Sequence, residues 1–185
     1  MISTADFRNG MVVELENDLL QIVEFQHVKP GKGGAFVRTK FKNLKSGRVL
    51  EKTFRSGERM EEARIEEEKY QYLYREEGLF HFMHTETFEQ VIAGADVVGD
   101  VPKYIKENET VHLAFHKGRT IGVTIPLFVN LLVTQCDPGV QGDRATGGTK
   151  PATCETGLVI QVPLFLESGT KVKVDTRTGA YIERV

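Results

Sequence analysis

Short apolar runs broken by turn residues dominate the chain, and apolar positions seldom recur at helical spacing. The segment "MVVELENDLLQIVEF" sets two apolar stretches around Glu16-Asn17-Asp18, a cluster that predicts a tight turn. "LLQIVEFQHV" then runs up to a tip at Lys29 to Gly34, and "AFVRTKF" returns with alternation. Phe36, Arg38, Lys40 and Lys42 fall on one face of that strand, and Val37, Thr39 and Phe41 on the other. A second turn at Asn43 to Gly47 leads into "RVLEKTF", which ends at Ser56-Gly57. Together these pieces predict a small, curled antiparallel sheet.

The next segment, "GERMEEARIEEEKYQYLYREEG", carries two opposed signals. Glu, Arg, Met and Ala favour helix, whereas the alternation of Tyr70, Tyr72 and Tyr74 favours strand. Strand is expected from Arg64 to Tyr74. "LFHFMH" and "FEQVIAG" read as further strands. "GDVPKYIKENE" predicts a short helix, with Asp100 as N-cap and Pro102 in the first turn. "TVHLAFH" and "TIGVTI" pair around Lys117-Gly118-Arg119. "LFVNLLVTQCD" opens a third block, separated by a polar loop from "ETGLVIQVPLF", "TKVKVDT" and "AYIERV". That loop runs from Pro138 to Ala152, fifteen residues with four glycines. The pattern predicts an all-β protein in three blocks, residues 1–64, 65–127 and 128–185. The last two have the scale of a five-stranded oligonucleotide-binding barrel, with no convincing repeat between them.

Charge sharpens the picture. The 185 residues carry 24 Lys and Arg against 26 Asp and Glu, a net charge of −2. From Gln26 to Arg55, however, there are nine basic residues and one acidic residue, Glu51. Residues 65–127 lean the other way, six basic against eleven acidic. A basic segment on a mildly acidic chain suits a polyanion such as nucleic-acid phosphate, although a solvated strand face has the same signature.

Conventional active-site motifs are missing. No HExxH, zinc-spaced Cys/His set, GxSxG elbow, GxGxxG fingerprint or Walker motif is present. His81 and His84 would point to opposite faces of a strand, and His112 and His116 would share one; structural or surface roles suit them. The run "EEARIEEE" reads as a solvated acidic face. Cys136 and Cys154 are too few for a disulfide framework, which fits a reducing, cytoplasmic setting. "MISTADFRNG" has no basic segment leading into an apolar core, so no signal peptide is expected. No run reaches the roughly 18 apolar residues of a membrane span.

Two features remain. Lys32 lies between Gly31 and Gly33-Gly34, just after Pro30, with no carboxylate within two residues. A glycine-rich turn with a solvated lysine and a probe reaching into a negatively charged cleft both fit this stretch. A Schiff-base lysine does not, because such lysines need a desolvating pocket. The long loop is the other feature, and its Asp143, Arg144 and Lys150 are candidates to meet RNA.

Taken together, "PGKGGAF", "GDRATGGTKPATCETGLVIQVPLF" and "VKVDTRTGAYIERV" closely resemble the bacterial elongation factor P family, with "KFKNLKSG" and "YQYLY" adding to the match. The resemblance runs from "DFRNG" to Val185. It implies an SH3-like (KOW-type) barrel followed by two OB-folds in an L-shaped monomer that mimics the outline of tRNA. It further implies a non-enzymatic factor that contacts both ribosomal subunits between the P and E sites. There it would position P-site peptidyl-tRNA and relieve stalling at consecutive prolines. Lys32 would contact the tRNA acceptor end after extension by a lysine-modifying enzyme, with Pro30, Gly31, Gly33 and Gly34 shaping the tip. Lys29, Arg38, Lys40 and Lys42 would line RNA, and Gly142, Asp143 and Arg144 would meet E-site mRNA. No metal, cofactor or membrane is implied. Two points qualify the carry-over: some relatives carry arginine at the tip, and many have Gly-Asp-Thr where this chain has Gly142-Asp143-Arg144. Two other readings are a general OB-fold RNA chaperone and a divergent paralogue with different stalling targets.

Overall fold

The computed structural model describes residues 1–139 and 147–185. It is built almost wholly of antiparallel strands in three sheets. The first holds β1 (Ile2–Ser3), β2 (Val12–Leu15), β3 (Asp18–Val28), β4 (Phe36–Asn43), β5 (Val49–Arg55) and β6 (Arg59–Glu62), in the order β1-β6-β2-β3-β4-β5. The second holds β7 (Glu66–Glu76), β8 (Leu79–His84), β9 (Gln90–Gly94), β10 (Thr110–His116) and β11 (Arg119–Thr124), in the order β11-β10-β7-β8-β9. The third holds β12 (Phe128–Cys136), β13 (Thr149–Cys154), β14 (Val159–Pro163), β15 (Lys171–Asp175) and β16 (Ala180–Arg184), in the order β14-β13-β12-β15-β16. The chain forms two compact units, Met1–Glu68 with Leu113–Gly122, and Lys69–His112 with Val123–Val185.

Local chemistry explains the first sheet. Glu16 and Asn17 take positive φ values of 54° and 68°, the two-residue turn whose twist suits a hairpin. Behind it, alternation sorts the side chains as expected. Val37, Thr39 and Phe41 are buried, while Arg38, Lys40 and Lys42 are exposed. Val37 and Phe41 join Phe7, Val13, Leu20, Ile22, Phe54 and Met60 in one core. Phe7, Phe41 and Phe54 meet edge-to-face, with centroids 6.2 Å apart for Phe7–Phe54 and 5.9 Å for Phe41–Phe54. A second core is built from Leu131, Val133, Ile160, Val162, Leu166, Val172 and Val174 of the third sheet region.

Two local expectations need correction. The short helix at Asp100 is only a single 3-10 turn, Val101–Lys103. Asp100 has helical φ and ψ of −85° and −1° and makes no side-chain cap. Its carboxylate instead meets Lys103 Nζ at 2.8 Å, so the capping group is committed to an ion pair. A separate four-residue helix, α1 (Ala95–Val98), precedes it. The second correction is the polar loop. β13 begins at Thr149, inside the stretch read as a connector. The misleading residue was Pro151, which cannot donate a ladder hydrogen bond. Pairing of β13 with β12 ends at Ala152, so Pro151 has only β14 beside it, opposite Gln161.

Candidate nucleic-acid interface

The β3–β4 hairpin is held in register out to the Val28–Phe36 pair. Beyond it Lys29, Pro30, Gly31, Lys32, Gly33 and Gly34 are all exposed. The Ser56 N–H donates to the Ala35 carbonyl at 2.9 Å, tying the end of the loop to the chain beyond β5. Gly33 adopts φ +112°, a conformation open to glycine and strained for other residues. Lys32 therefore stands at the apex of a hairpin paired out to Val28–Phe36, on a short, open loop. Among the described residues Lys32 is exposed, so the loop offers reach to a cation and no means of desolvating it.

The strand face below the tip is less positive than its sequence. Lys40 lies opposite Glu24 on β3 and opposite Glu51 on β5. Its Nζ donates to Glu24 Oε2 at 2.8 Å. That hydrogen bond, with the charges of Glu24 and Glu51, holds the ammonium above its ordinary pKa. Arg38 Nε lies 3.4 Å from Glu51 Oε1; on the other face of β5, opposite Thr39, Lys52 Nζ lies 3.1 Å from Glu16 Oε2. Lys42 is exposed between Gln21 and Val49. Glu24 lies just outside the basic window and Glu16 ten residues before it, and both were missed in the sequence reading. Strand register reveals Glu24, because antiparallel pairing brings it against Lys40, 16 residues away, whereas Glu16 reaches Lys52 from the β2–β3 turn.

The third-sheet candidates divide. Gly142, Asp143 and Arg144 lie outside the described residues. Lys150 is corrected: it is 7% exposed, and its Nζ donates to the Asp137 carbonyl at 2.6 Å. It ties β13 to the end of β12 and is not presented to solvent. Gly139 sits so close to Leu164 that an added Cβ would collide with the Leu164 carbonyl oxygen, a backbone atom. Gly139→Ala is therefore expected to cost about 1–3 kcal/mol of stability, read as a lower denaturation midpoint. Gly148→Ala should cost less, because its Cβ would meet only the tip of the Leu164 side chain, at 3.1 Å.

The histidines have local roles. His84 Nδ1 accepts from the N–H groups of Glu86 and Thr87 at 3.1 and 3.0 Å. His81 stacks on Tyr74 with centroids 4.4 Å apart. His116 Nδ1 lies 3.0 Å from the Arg64 carbonyl. Among the described residues, no group of His, Cys, Asp or Glu is arranged to hold a metal ion. Nor is any helix there long and apolar enough to cross a membrane.

Comparison with known proteins agrees along the chain. Residues 3–60 match the elongation factor P (EF-P) KOW-like domain, residues 65–123 the elongation factor P (EF-P) OB domain, and residues 129–184 the elongation factor P C-terminal domain. Elongation factor P of Agathobacter rectalis is 54% identical over 185 residues, covering all of both chains. That of Acetivibrio thermocellus is likewise 54% identical over the full length of both. The protein from Kocuria rhizophila is 52% identical, with all of this chain and 99% of its own covered. A solved structure of eukaryotic translation initiation factor 5A from Methanococcus jannaschii has the same fold over part of the chain. It is 19% identical, has a TM-score of 0.51, and covers 66% of this chain and 94% of its own. With three domain profiles in order and relatives more than half identical from end to end, the chain belongs to the elongation factor P family.

Proposed function

We propose that the chain, a translation elongation factor by family, acts on the ribosome between the P and E sites. In this reading Lys32 reaches the acceptor end of P-site peptidyl-tRNA and speeds peptide-bond formation where consecutive prolines stall it. The observation that carries it is the hairpin tip, six exposed residues on a register held to its last pair. A rigid stem delivers the lysine to a fixed place, and open glycine backbone can approach RNA closely.

Proline is a constrained nucleophile, so its attack depends strongly on where the peptidyl-tRNA end lies. Restraining that end lowers the entropic cost of reaching reactive geometry. The ribosome performs the chemistry, and the chain supplies position. A lysine-modifying enzyme acting on Lys32 would lengthen the reach of the tip. Residues 1–64, 65–127 and 128–185 are the domains in this proposal, and Lys29 and Lys42 meet phosphate without reading sequence.

Gly142, Asp143 and Arg144 are proposed to contact E-site mRNA. A carboxylate near RNA is repelled unless it accepts hydrogen bonds from base or sugar groups, which gives Asp143 a positioning role. Asp143→Ala is expected to raise the half-saturating concentration for rescue roughly tenfold, the worth of about one charge-assisted hydrogen bond. Lys32 modification should be unaffected. Wild-type behaviour at every concentration would remove the mRNA assignment.

The test of the whole reading is synthesis of a Pro-Pro-Pro reporter on purified ribosomes across a range of added protein. Saturable rescue at one copy per ribosome supports it. Binding to ribosomes without a saturable site would favour the RNA chaperone reading.

A further inference from the structure

Register places Glu24, Lys40 and Glu51 in one row across β3, β4 and β5. One step along the same face, Arg38 lies between the uncharged Gln26 and Thr53 and reaches diagonally to Glu51. Glu24, Phe25, Gln26, Arg38, Lys40 and Glu51 line one shallow groove on the hairpin stem. It holds two cations and two anions. All four charged side chains are about half exposed, from 48% to 64%. Ion pairs this open stabilise the fold little, so stability gives no strong reason for them. Among the described residues neither Lys29 nor Lys32 makes an ion pair, and both are exposed. Lys42, at the other end of β4, faces only uncharged neighbours across the ladders. The stem is thus neutral in its middle and positive at its ends.

We infer that Glu24 and Glu51 are specificity-determining residues for RNA docking: by occupying Lys40 and Arg38 they keep phosphate off the middle of the stem and leave it to the positive ends, the tip above all. The inference rests on the reading that this hairpin faces RNA. Phosphate contacts fix register without carrying sequence information. A uniformly positive stem would hold an RNA backbone at many offsets, each stabilised by released counterions. The carboxylates remove those alternatives in two ways. They compete for the cations, and they repel a phosphate that approaches the same groove. They disfavour wrong dockings and leave the tip contact as it is.

The test uses the intact protein with Glu24→Gln, Glu51→Gln and both together, exposed near-isosteric changes that keep the fold. The probes are an oligouridylate of about 12 nucleotides and purified ribosomes, each over a salt series. The double variant is expected to bind the oligonucleotide about tenfold more tightly at low salt. Its plot of log affinity against log salt should steepen by about 0.7 to 1.4, as one or two further phosphates are neutralised. On ribosomes it should bind at least as tightly yet rescue stalling at least about twofold less per bound copy, because part of the bound population is out of register. Unchanged oligonucleotide affinity and slope, with wild-type protein still binding ribosomes saturably and rescuing, would overturn this inference and leave the proposed function standing. Failure of the wild-type protein to bind ribosomes saturably would overturn both.

Discussion

Lys32→Ala is expected to lower the rate of Pro-Pro-Pro synthesis by roughly tenfold to a hundredfold at saturating protein, the scale of losing a positioning contact at a reacting centre. The same substitution should leave folding alone. Lys32 is exposed, lies beyond the last paired residues of the hairpin and belongs to neither hydrophobic core. Exposed substitutions of this kind change stability by less than about 0.5 kcal/mol, so the melting temperature should stay within about 2 °C. Lys32→Arg should also be defective. Its guanidinium is planar and bulky, and it is no substrate for a lysine-modifying enzyme. Thermal denaturation and reporter synthesis on the same preparations check both halves. Wild-type rescue by the alanine variant would remove the tip from the mechanism.

Phe41→Ala has the opposite profile. Phe41 is 0% exposed on β4, touches the ring of Phe54 edge-to-face and lies among Val37, Leu20 and Ile22 in the first core. Truncation removes the ring and leaves a cavity that the paired strands on either side cannot readily close. The expected cost is about 3–5 kcal/mol, a large share of the roughly 5–15 kcal/mol that keeps a domain folded. Denaturant titration should show an early transition, and rescue should fall only as far as the folded fraction falls. A midpoint close to wild type would mean that the core does not depend on this ring.

The two variants separate what sequence could and could not disclose. Strand alternation placed Phe41 inside and Arg38, Lys40 and Lys42 outside, because one buried face fixes the side-chain period. The tip was legible because glycine and proline punctuate chains for local reasons. The carboxylates of Glu24 and Glu16 were not, since their pairing with Lys40 and Lys52 brings together segments distant in sequence, Glu24 through strand register and Glu16 from a turn. Lys150 misled in the same way. Among glycines and beside a proline it read as loop, yet its ammonium is turned inward onto the Asp137 carbonyl. Asp100 had the chemistry of a cap and was taken by Lys103. Local pattern thus announced the elements, and long-range pairing decided which charges were left free to act.

The most direct measurement places a cleavage reagent where the lysine stands. Lys32→Cys carrying a tethered iron chelate would be bound to ribosomes stalled at consecutive prolines, with the unsubstituted protein treated in parallel to subtract labelling of Cys136 and Cys154. Hydroxyl radicals generated at the tip should cut the acceptor end of P-site tRNA and the rRNA around it, and these cuts should vanish in the parallel sample. Strong cleavage elsewhere on the ribosome with the tRNA end intact would contradict the assignment of Lys32 to peptidyl-tRNA.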